Sequence, residues 1–455
     1  MTERRKVLPG ISSQLKDHLI RQVMERRLRR AGQSPEAPWT DAERGEGDEA
    51  ASRIPEAWWR LSLHPGFQQL RIMREGAASL GLDNPYFRPH EGVAGSTTRI
   101  EGRQFINYSS YNYLGLCGDA RVSAAAKDAI DRYGTSVSAS RPVSGERPVH
   151  RALETRLAQV YGVEDCVAFV SGHATNVSTI GYLFGPKDLV VHDALIHNSI
   201  MQGIELSGAQ RRSFPHNDAA ALDEMLARER RHFERVLIVL EGVYSMDGDF
   251  ADLPRFVELK RKHRALLMVD EAHSFGVMGG RGLGIREHFG LAGADVDIWM
   301  GTLSKALAGC GGFVAGEAAL VDNLKFAAPG FLYSVGMSPP LAAAALAALE
   351  CMLAEPERVR LLQERGREFL RRAREARINT GTSSGYAIVP AITGSSIRAA
   401  RLAQALFQRG INVQPILYPA VQENSARLRF FLSSQHSEEQ IRSTVAVLAE
   451  ELEAL

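Results

Sequence analysis

A lysine in a glycine- and serine-rich turn is the residue of this chain best suited to covalent chemistry. Lys305 closes the stretch Gly301-Thr302-Leu303-Ser304-Lys305, and Asp270 lies upstream, at the end of an apolar run. A lysine amine can form a Schiff base with the aldehyde of pyridoxal 5′-phosphate (PLP), and a carboxylate can keep the pyridine nitrogen protonated. Hydroxyl and backbone N–H groups beside the lysine suit a phosphate. This ordered set of groups predicts a PLP enzyme.

The elements between residues 120 and 340 must position these groups. Short apolar runs that end in polar or glycine-rich turns occupy residues 165–170, 189–191, 235–240, 265–269, 297–300 and 312–315. Helical stretches such as 149–161 and 218–233 separate them. This alternation predicts an α/β domain whose mostly parallel sheet is covered on both faces. Because ligands of such sheets bind beyond the carboxyl ends of the strands, Glu241 and Asp270 are expected near the ligand.

The sequence pattern changes near residue 345. A helical region at 341–376, which Pro356 is expected to interrupt, precedes a strand (386–390), a helix (396–409), an alternating strand (427–432) and a last helix (437–451). This order predicts a smaller α+β domain. We therefore divide the chain into an extension (1–55), a segment that packs on the core (56–118), a large PLP-binding domain (119–345) and a small C-terminal domain (346–455).

Composition narrows the class of protein. The chain has 455 residues, of which 45% are hydrophobic and 24% charged, as is typical of a globular protein with two or three domains. The net charge of +1 gives no electrostatic basis for binding nucleic acid. The four cysteines are scattered without metal-ligand spacing. With no apolar signal core and no apolar run long enough to cross a bilayer, we expect a cytoplasmic protein with no metal and no membrane insertion.

The extension has a composition of its own. Residues 11–30 fit a basic amphipathic helix, and residues 33–55 are acidic and rich in Gly, Pro and Ser, as in a linker. Three interpretations stay open: a solvated helix on a flexible tail, a docking element for a carrier protein or partner enzyme, and a membrane-surface helix.

Eight short motifs, taken in chain order, resemble the α-oxoamine synthase family of fold-type I PLP enzymes, a family that includes serine palmitoyltransferase. The resemblance covers residues 85–455. The motifs occupy residues 107–116, 171–176, 197–199, 216–218, 241–249, 269–273, 301–305 and 426–429. The resemblance implies a large domain with a mostly parallel sheet, a smaller α+β domain and a homodimer with the active site between subunits.

The resemblance also implies roles for single residues. Lys305 would hold the cofactor and then remove the Cα proton of the substrate, and Asp270 would bind the pyridinium N–H. His273 would hydrogen-bond the phenolic oxygen of PLP, and His197 would stack on the ring. Ser245 would lie near the phenolic oxygen.

The phosphate and the substrate have expected ligands too. Thr302 and the backbone at Gly172 and His173 would bind the phosphate, where the start of a helix suits an anion. Arg429 would bind the amino-acid carboxylate with its planar fork. Arg427 lies on the same face of the strand and is the alternative candidate for binding the carboxylate.

Two places depart from the usual family pattern. Tyr111 stands where many members carry Asn, and the sequence Ser110-Tyr111-Asn112-Tyr113 is closer to serine palmitoyltransferase-like and polyketide-synthase-associated members. We assign Tyr111 and Asn112 to the substrate pocket, which favours serine or alanine over glycine. Members usually contribute a Ser or Thr to the phosphate across the dimer interface, and Ser334 is our candidate, with Ser338 as the alternative.

The expected reaction is a decarboxylating condensation of a small L-amino acid with an acyl thioester. Its products are an α-amino ketone, CO₂ and a free thiol. The acyl donor is CoA or an acyl carrier protein, and a biosynthetic role in secondary metabolism is expected by analogy. Two alternatives are a PLP-dependent aminotransferase and a catalytically inactive partner subunit. Retention of Lys305, Asp270, His273 and His197 argues against the second.

Overall fold

The computed structural model describes residues 54–455, in which residues 54–87 and residues 88–455 form two compact units. The helix predicted at residues 11–30 lies outside the described residues. In the first unit, short 3₁₀ turns at Glu56–Trp58 and Leu61–Leu63 precede helix α1 (Pro65–Ser79). A search of residues 54–455 finds no helix that is both long and apolar enough to cross a bilayer.

The second unit is built on a seven-stranded sheet. Its strands are β3 (Asp165–Phe169), β4 (Leu189–Asp193), β5 (Gln210–Phe214), β6 (Val236–Glu241), β7 (Leu266–Asp270), β8 (Ile298–Thr302) and β9 (Gly312–Gly316). The strand order is β3-β9-β8-β7-β6-β4-β5. Only β9 runs antiparallel to its neighbours, β3 and β8, so the prediction of a mostly parallel sheet is confirmed.

Helices cover both faces of this sheet. Along β6, Ile238 and Leu240 join one apolar core cluster, whereas Leu237 and Val239 join another on the opposite face. All four side chains are fully buried. The helices are α2 (Ala120–Tyr133), α3 (Pro148–Tyr161), α4 (Gly172–Leu183), α5 (Asn198–Ser207), α6 (Ala219–Glu229), α7 (Leu253–His263), α8 (Ile285–Phe289), α9 (Ala318–Ala327), α10 (Pro329–Leu332) and α11 (Pro339–Ala354).

Two small sheets complete the unit. One contains β1 (Thr97–Ile100), β2 (Arg103–Asn107) and β11 (Ile411–Asn412), and the other contains β10 (Ile388–Ile392), β13 (Arg427–Phe431) and β12 (Gln414–Ile416). Helices α12 (Glu357–Glu375), α13 (Ser396–Gln408) and α14 (Glu438–Glu453) accompany them. The predicted break at Pro356 lies between α11 and α12, as expected for a proline that cannot continue a helix.

One strand of the large sheet was not predicted from the sequence. β5 (Gln210–Phe214) lies at the edge and exposes every residue except Phe214. An edge strand needs no apolar run, because only one side of it pairs and its side chains can face water. It therefore gave no apolar signal.

Candidate active site

The carboxyl ends of four neighbouring strands meet at one edge of the sheet and carry polar residues. β4, β6, β7 and β8 end at Asp193, Glu241, Asp270 and Thr302 respectively. Glu241 and Asp270 are direct partners in the β6–β7 register. This is the edge at which ligands of open parallel sheets bind, and it places the groups predicted from the sequence together.

Lys305 follows β8 in a tight turn that leads directly into the antiparallel strand β9. The turn is closed by backbone hydrogen bonds from Gly309 N to Leu303 O (2.8 Å) and from Ala308 N to Lys305 O (3.1 Å). Burial lowers the pKa of Lys305 to about 8, although Asp270 and Glu241 act in the opposite direction. A lowered pKa leaves more of the amine unprotonated near neutral pH, which a nucleophile or base requires.

Asp270 is fixed by hydrogen bonds from its own chain. Its Oδ1 accepts from Ala272 N and its Oδ2 from Asn176 Nδ2, both at 2.9 Å. Asn176 also donates to Ser199 Oγ at 2.9 Å. Asp270 itself is 5% exposed, so the carboxylate is held in one orientation at the strand end.

The two histidines predicted to contact the cofactor, His197 and His273, are each held by a hydroxyl group. His197 is the N-cap of α5, where its Nδ1 lies 2.7 Å from Ser199 Oγ. His273 is buried, and its Nδ1 lies 2.7 Å from Tyr113 Oη. Burial, together with the nearby cations Lys305 and Arg429, holds the pKa of His273 well below its ordinary value. His273 is therefore a neutral imidazole, able to donate one hydrogen bond and accept another.

The start of α4 lies against the end of β8. Ser171 caps the helix through its side chain, and Gly172 and His173 form its first turn. A Cβ at Gly172 would lie 3.0 Å from Thr302 Oγ1, a tight contact that glycine avoids. The Thr302 hydroxyl donates to Gly311 O (3.0 Å) in this arrangement. Exposed N–H groups at a helix start suit a phosphate.

Arg427 and Arg429 both reach the turn that follows β6, as their shared strand face predicted. Arg427 is paired with Asp247 at 2.6 Å and donates to Met246 O at 2.9 Å. Arg429 donates through Nη1 to Ser245 O at 3.0 Å, and its buried Nε has no hydrogen-bond partner within residues 54–455. Burial lowers the pKa of Arg429. Arg427 is thus occupied, whereas Arg429 keeps donors for a ligand.

A cleft of about 380 Å³ leads to Lys305, and Tyr111 and Asn112 line it. The Tyr111 ring centroid lies 5.6 Å from Lys305 Nζ. The Asn112 amide is engaged at both ends by backbone, because Nδ2 donates to Ala94 O (2.7 Å) and Oδ1 accepts from Cys117 N (3.1 Å). Tyr111 therefore faces the lysine, and Asn112 braces the wall of the cleft.

The phosphate candidates 334 and 338 lie on another loop, after α10. Ser338 Oγ donates to Thr135 O at 2.7 Å, and Ser334 Oγ donates to Val335 O at 3.2 Å. Ser334 lines a small cavity with Val170 and Phe331 rather than the cleft that leads to Lys305.

Three residues near the site were not given a functional role from the sequence. Asn176 and Tyr113 hydrogen-bond Asp270 and His273, and both lie inside the motifs that carry the resemblance. Glu241 is buried, with an Oε1 that has no partner in the described part of the chain. Burial and the neighbouring Asp270 raise the pKa of Glu241 well above its ordinary value, which favours the protonated form of this carboxyl. Its position at a strand end was the available signal.

The set of groups at this edge fits PLP. An amine with a lowered pKa, a fixed carboxylate, a neutral imidazole and the start of a helix beside a threonine hydroxyl match the aldehyde, pyridine, phenol and phosphate groups of that cofactor. Residues 54–455 hold no cluster of side chains suited to a metal ion.

Comparison with known proteins agrees with this geometry. Residues 103–448 match the family described as aminotransferase class I and II. The 8-amino-7-oxononanoate synthase of Symbiobacterium thermophilum is 41% identical over 350 residues, which cover 77% of this chain and 89% of that protein. Serine palmitoyltransferase of Bacteroides thetaiotaomicron is 36% identical over 371 residues, which cover 82% of this chain and 93% of that protein.

The fold is shared with a solved relative. The structure of Sphingomonas wittichii serine palmitoyltransferase superposes with a TM-score of 0.81 at 31% identity, covering 86% of this chain and 98% of that one. This likeness confirms the predicted fold-type I PLP transferase fold, with its mostly parallel large sheet. The chain therefore belongs to the class I and II aminotransferase family, and within it to the PLP-dependent acyltransferases called α-oxoamine synthases.

Proposed function

We propose that this enzyme condenses a small L-amino acid with an acyl thioester and releases CO₂, a free thiol and an α-amino ketone. The observation that carries the proposal is that Arg429, a cation without a paired carboxylate, lies near Lys305. Arg429 lies close enough to lower the pKa of Lys305, and no carboxylate of residues 54–455 is paired with it. A buried guanidinium that lacks its anion suits the carboxylate of an amino acid.

The residues that hold PLP in this proposal are those predicted from the sequence. Bound PLP supplies a ring that stores the electron pair left when the Cα–H bond breaks. Asp270 binds the pyridine N–H, His273 and Ser245 lie near the phenolic oxygen, and His197 stacks on the ring. The phosphate is bound by the remaining candidates, Thr302, Gly172, His173 and the partner-side Ser334.

Lys305 carries the proton-transfer step. Once the amino acid has displaced its amine, Nζ is free to take the Cα proton and later to return one. A base with a pKa of about 8 accepts a proton readily near neutral pH. Arg429 meanwhile fixes the substrate carboxylate, so that the Cα–H bond points toward Nζ.

The cleft beside Tyr111 is the proposed route for the acyl thioester. Apart from Lys305, its described lining carries no charged side chain, because burial lowers the pKa of His90, and Arg429 lies outside it. Small residues such as Ala94, Ser110 and Ala308 leave the wall open. A neutral, amide-bearing pantetheine arm fits such a channel, whether CoA or a carrier protein delivers it. We favour serine or alanine as the amino acid because Tyr111 replaces the more usual Asn.

The enzyme is proposed to act as a homodimer. The loop that holds Ser334 is flanked by exposed apolar side chains: Tyr333 is 86% exposed and Val335 is 53% exposed. Large exposed apolar groups mark surfaces that a partner covers. A second copy of the chain would bury them and bring Ser334 to the phosphate of the neighbouring site.

The decisive experiment adds single amino acids to the PLP-loaded enzyme and follows the cofactor absorbance, then adds an acyl-CoA or an acyl carrier protein thioester. We expect one small amino acid to shift the spectrum, and thiol and CO₂ to appear only when a thioester is present. Conversion of the cofactor to pyridoxamine phosphate by a keto-acid-dependent cycle would instead identify an aminotransferase. A protein that binds no PLP would identify an inactive subunit.

A further inference from the structure

A histidine outside the cofactor-contacting set lies between two buried aspartates. His216, on the loop after β5, places Nδ1 2.9 Å from Asp193 Oδ1 and Nε2 2.9 Å from Asp249 Oδ2. Asp193 is fully buried, and Asp249 is 7% exposed. The imidazole edge also packs against the Tyr244 ring, with centroids 4.5 Å apart.

Each aspartate belongs to a segment that carries a site residue. Asp193 ends β4 and begins the loop that reaches His197, and it also accepts from Leu195 N at 2.8 Å. Asp249 closes the turn that begins at Ser245, because Tyr244 N donates to Asp249 O at 2.9 Å. The ring of His216 thus bridges the two segments.

The hydrogen-bond chemistry fixes the state of the ring. An ionised carboxylate only accepts hydrogen bonds, so a ring with an aspartate oxygen at each nitrogen must donate from both. Burial opposes this charge, but the hydrogen bonds to Asp193 and Asp249 outweigh it and raise the pKa of His216 to about 10. The ring is therefore a cation held between two anions at neutral pH.

We propose that His216 is a positioning residue of the reaction: it holds the loop of His197 at a fixed distance from the turn that carries Ser245 and receives Arg429. This inference rests on the proposed function, because it assigns those three residues to cofactor and substrate. A small displacement of either segment would move the stacking ring or the carboxylate site relative to Lys305.

The test is a double-mutant cycle on the PLP-loaded enzyme. His216→Gln cannot donate to both aspartates, and we expect it to lower kcat/KM for the amino acid roughly tenfold to a hundredfold. It should also shift the cofactor absorbance and weaken amino-acid binding. His216→Arg, whose guanidinium donates in two directions, should recover part of the loss. In the double variant His216→Gln/His197→Ala, the loss of kcat/KM should be much smaller than the product of the losses in the two single variants.

The matched control is His263→Gln. His263 also contacts an aspartate, with Nε2 2.6 Å from Asp223 Oδ1, on helices α7 and α6. We expect its effect to multiply with that of His197→Ala. A His216→Gln enzyme with unchanged cofactor absorbance and amino-acid affinity, or with purely multiplicative effects, would overturn the proposal.

If His216→Gln does not fold, a milder variant, Thr382→Val, can be measured in its place. Thr382 is exposed, and its hydroxyl donates to Asp249 Oδ2 at 2.8 Å. Thr382→Val should therefore shift the cofactor spectrum in the same direction by less, and an unchanged spectrum would contradict the bridge. If the wild type binds PLP but no amino acid changes its spectrum, the proposed function fails. A response that is strong in the wild type and weaker in His216→Gln supports the positioning role, and thioester-dependent release of CO₂ supports the proposed function.

Discussion

Asp270 and His273, on the proposed cofactor side of the Lys305 site, differ from Arg429, on the proposed substrate side, in how completely they are hydrogen-bonded. Asp270 accepts two hydrogen bonds from its own chain, and His273 is paired with Tyr113. Arg429 instead has a buried Nε with no partner within residues 54–455. A buried donor without a partner costs about 1–3 kcal/mol. Under the proposed function, Asp270 and His273 are thus fixed in advance for the cofactor, whereas Arg429 keeps an unused donor for the substrate carboxylate.

The largest expected effect comes from removing the group that both sides share. Lys305→Ala should lower turnover by roughly 10²–10⁴-fold or more, because it removes the positioned base as well as the covalent link to PLP. The visible absorbance of the bound cofactor should change with it, while the melting temperature stays near the wild-type value. Turnover at the wild-type rate would show that Lys305 is neither the base nor the residue that links PLP.

The two arginines of β13 should separate substrate binding from stability. Arg429→Met should raise KM for the amino acid roughly tenfold to a hundredfold, because a charged hydrogen bond is worth about 1.5–3 kcal/mol. It should leave the free energy of unfolding unchanged or higher, since a buried cation without a carboxylate disappears.

Arg427→Met is the matched control for this pair. It breaks a partly buried, hydrogen-bonded ion pair with Asp247 and should lower the free energy of unfolding by about 1.5–3 kcal/mol. Steady-state kinetics and chemical denaturation measure both variants. The opposite pattern, with a stability loss at 429 and a KM effect confined to 427, would reverse the assignment of the carboxylate site.

A smaller effect should separate the two substrates. Ala94 is exposed and lines the cleft, so Ala94→Trp should narrow the channel without disturbing the core. We expect KM for the acyl thioester to rise roughly tenfold, with no change in amino-acid binding. Ala376→Trp, at an exposed position after α12, is the control. A rise in the amino-acid dissociation constant for the cleft variant would assign this cleft to the other substrate.

A pH dependence of stability tests the charge on His216. The pKa of His216 is raised from 6.5 to about 10 on folding, so its contribution is fully present below pH 6.5 and is lost as the pH rises through about 10. The melting temperature of the wild type should therefore fall from pH 7 to pH 10 more steeply than that of His216→Gln. Parallel melting curves over that interval would argue against a charged ring between the two aspartates.

The sequence was sufficient for the features that depend on local pattern. The apolar runs located six strands of the large sheet, the strand ends located Glu241 and Asp270, and alternation placed Arg427 and Arg429 on one face. Edge strand β5 was not predicted, because its exposed residues form no apolar run.

Local sequence patterns could not predict the contacts between segments that are distant in the chain. Whether Arg427 or Arg429 was free depended on Asp247, and the bracing amide of Asn112 depended on Ala94 O. The bridge from His216 to Asp193 and Asp249 joins three loops that only the folded sheet brings together. A single sequence gives residue types at these positions but not the partners that decide their protonation and their availability.

The antiparallel strand β9 has a consequence for how this site assembles. A parallel successor to β8 would need a long crossover, whereas β8 and β9 are joined by residues 303–311 alone, and Lys305 lies within that connection. Contacts between residues close in sequence form quickly and with little loop entropy. The turn that holds Lys305 thus belongs to a local hairpin, while Asp270, His197 and Arg429 reach it only as the wider sheet and the C-terminal strands come together.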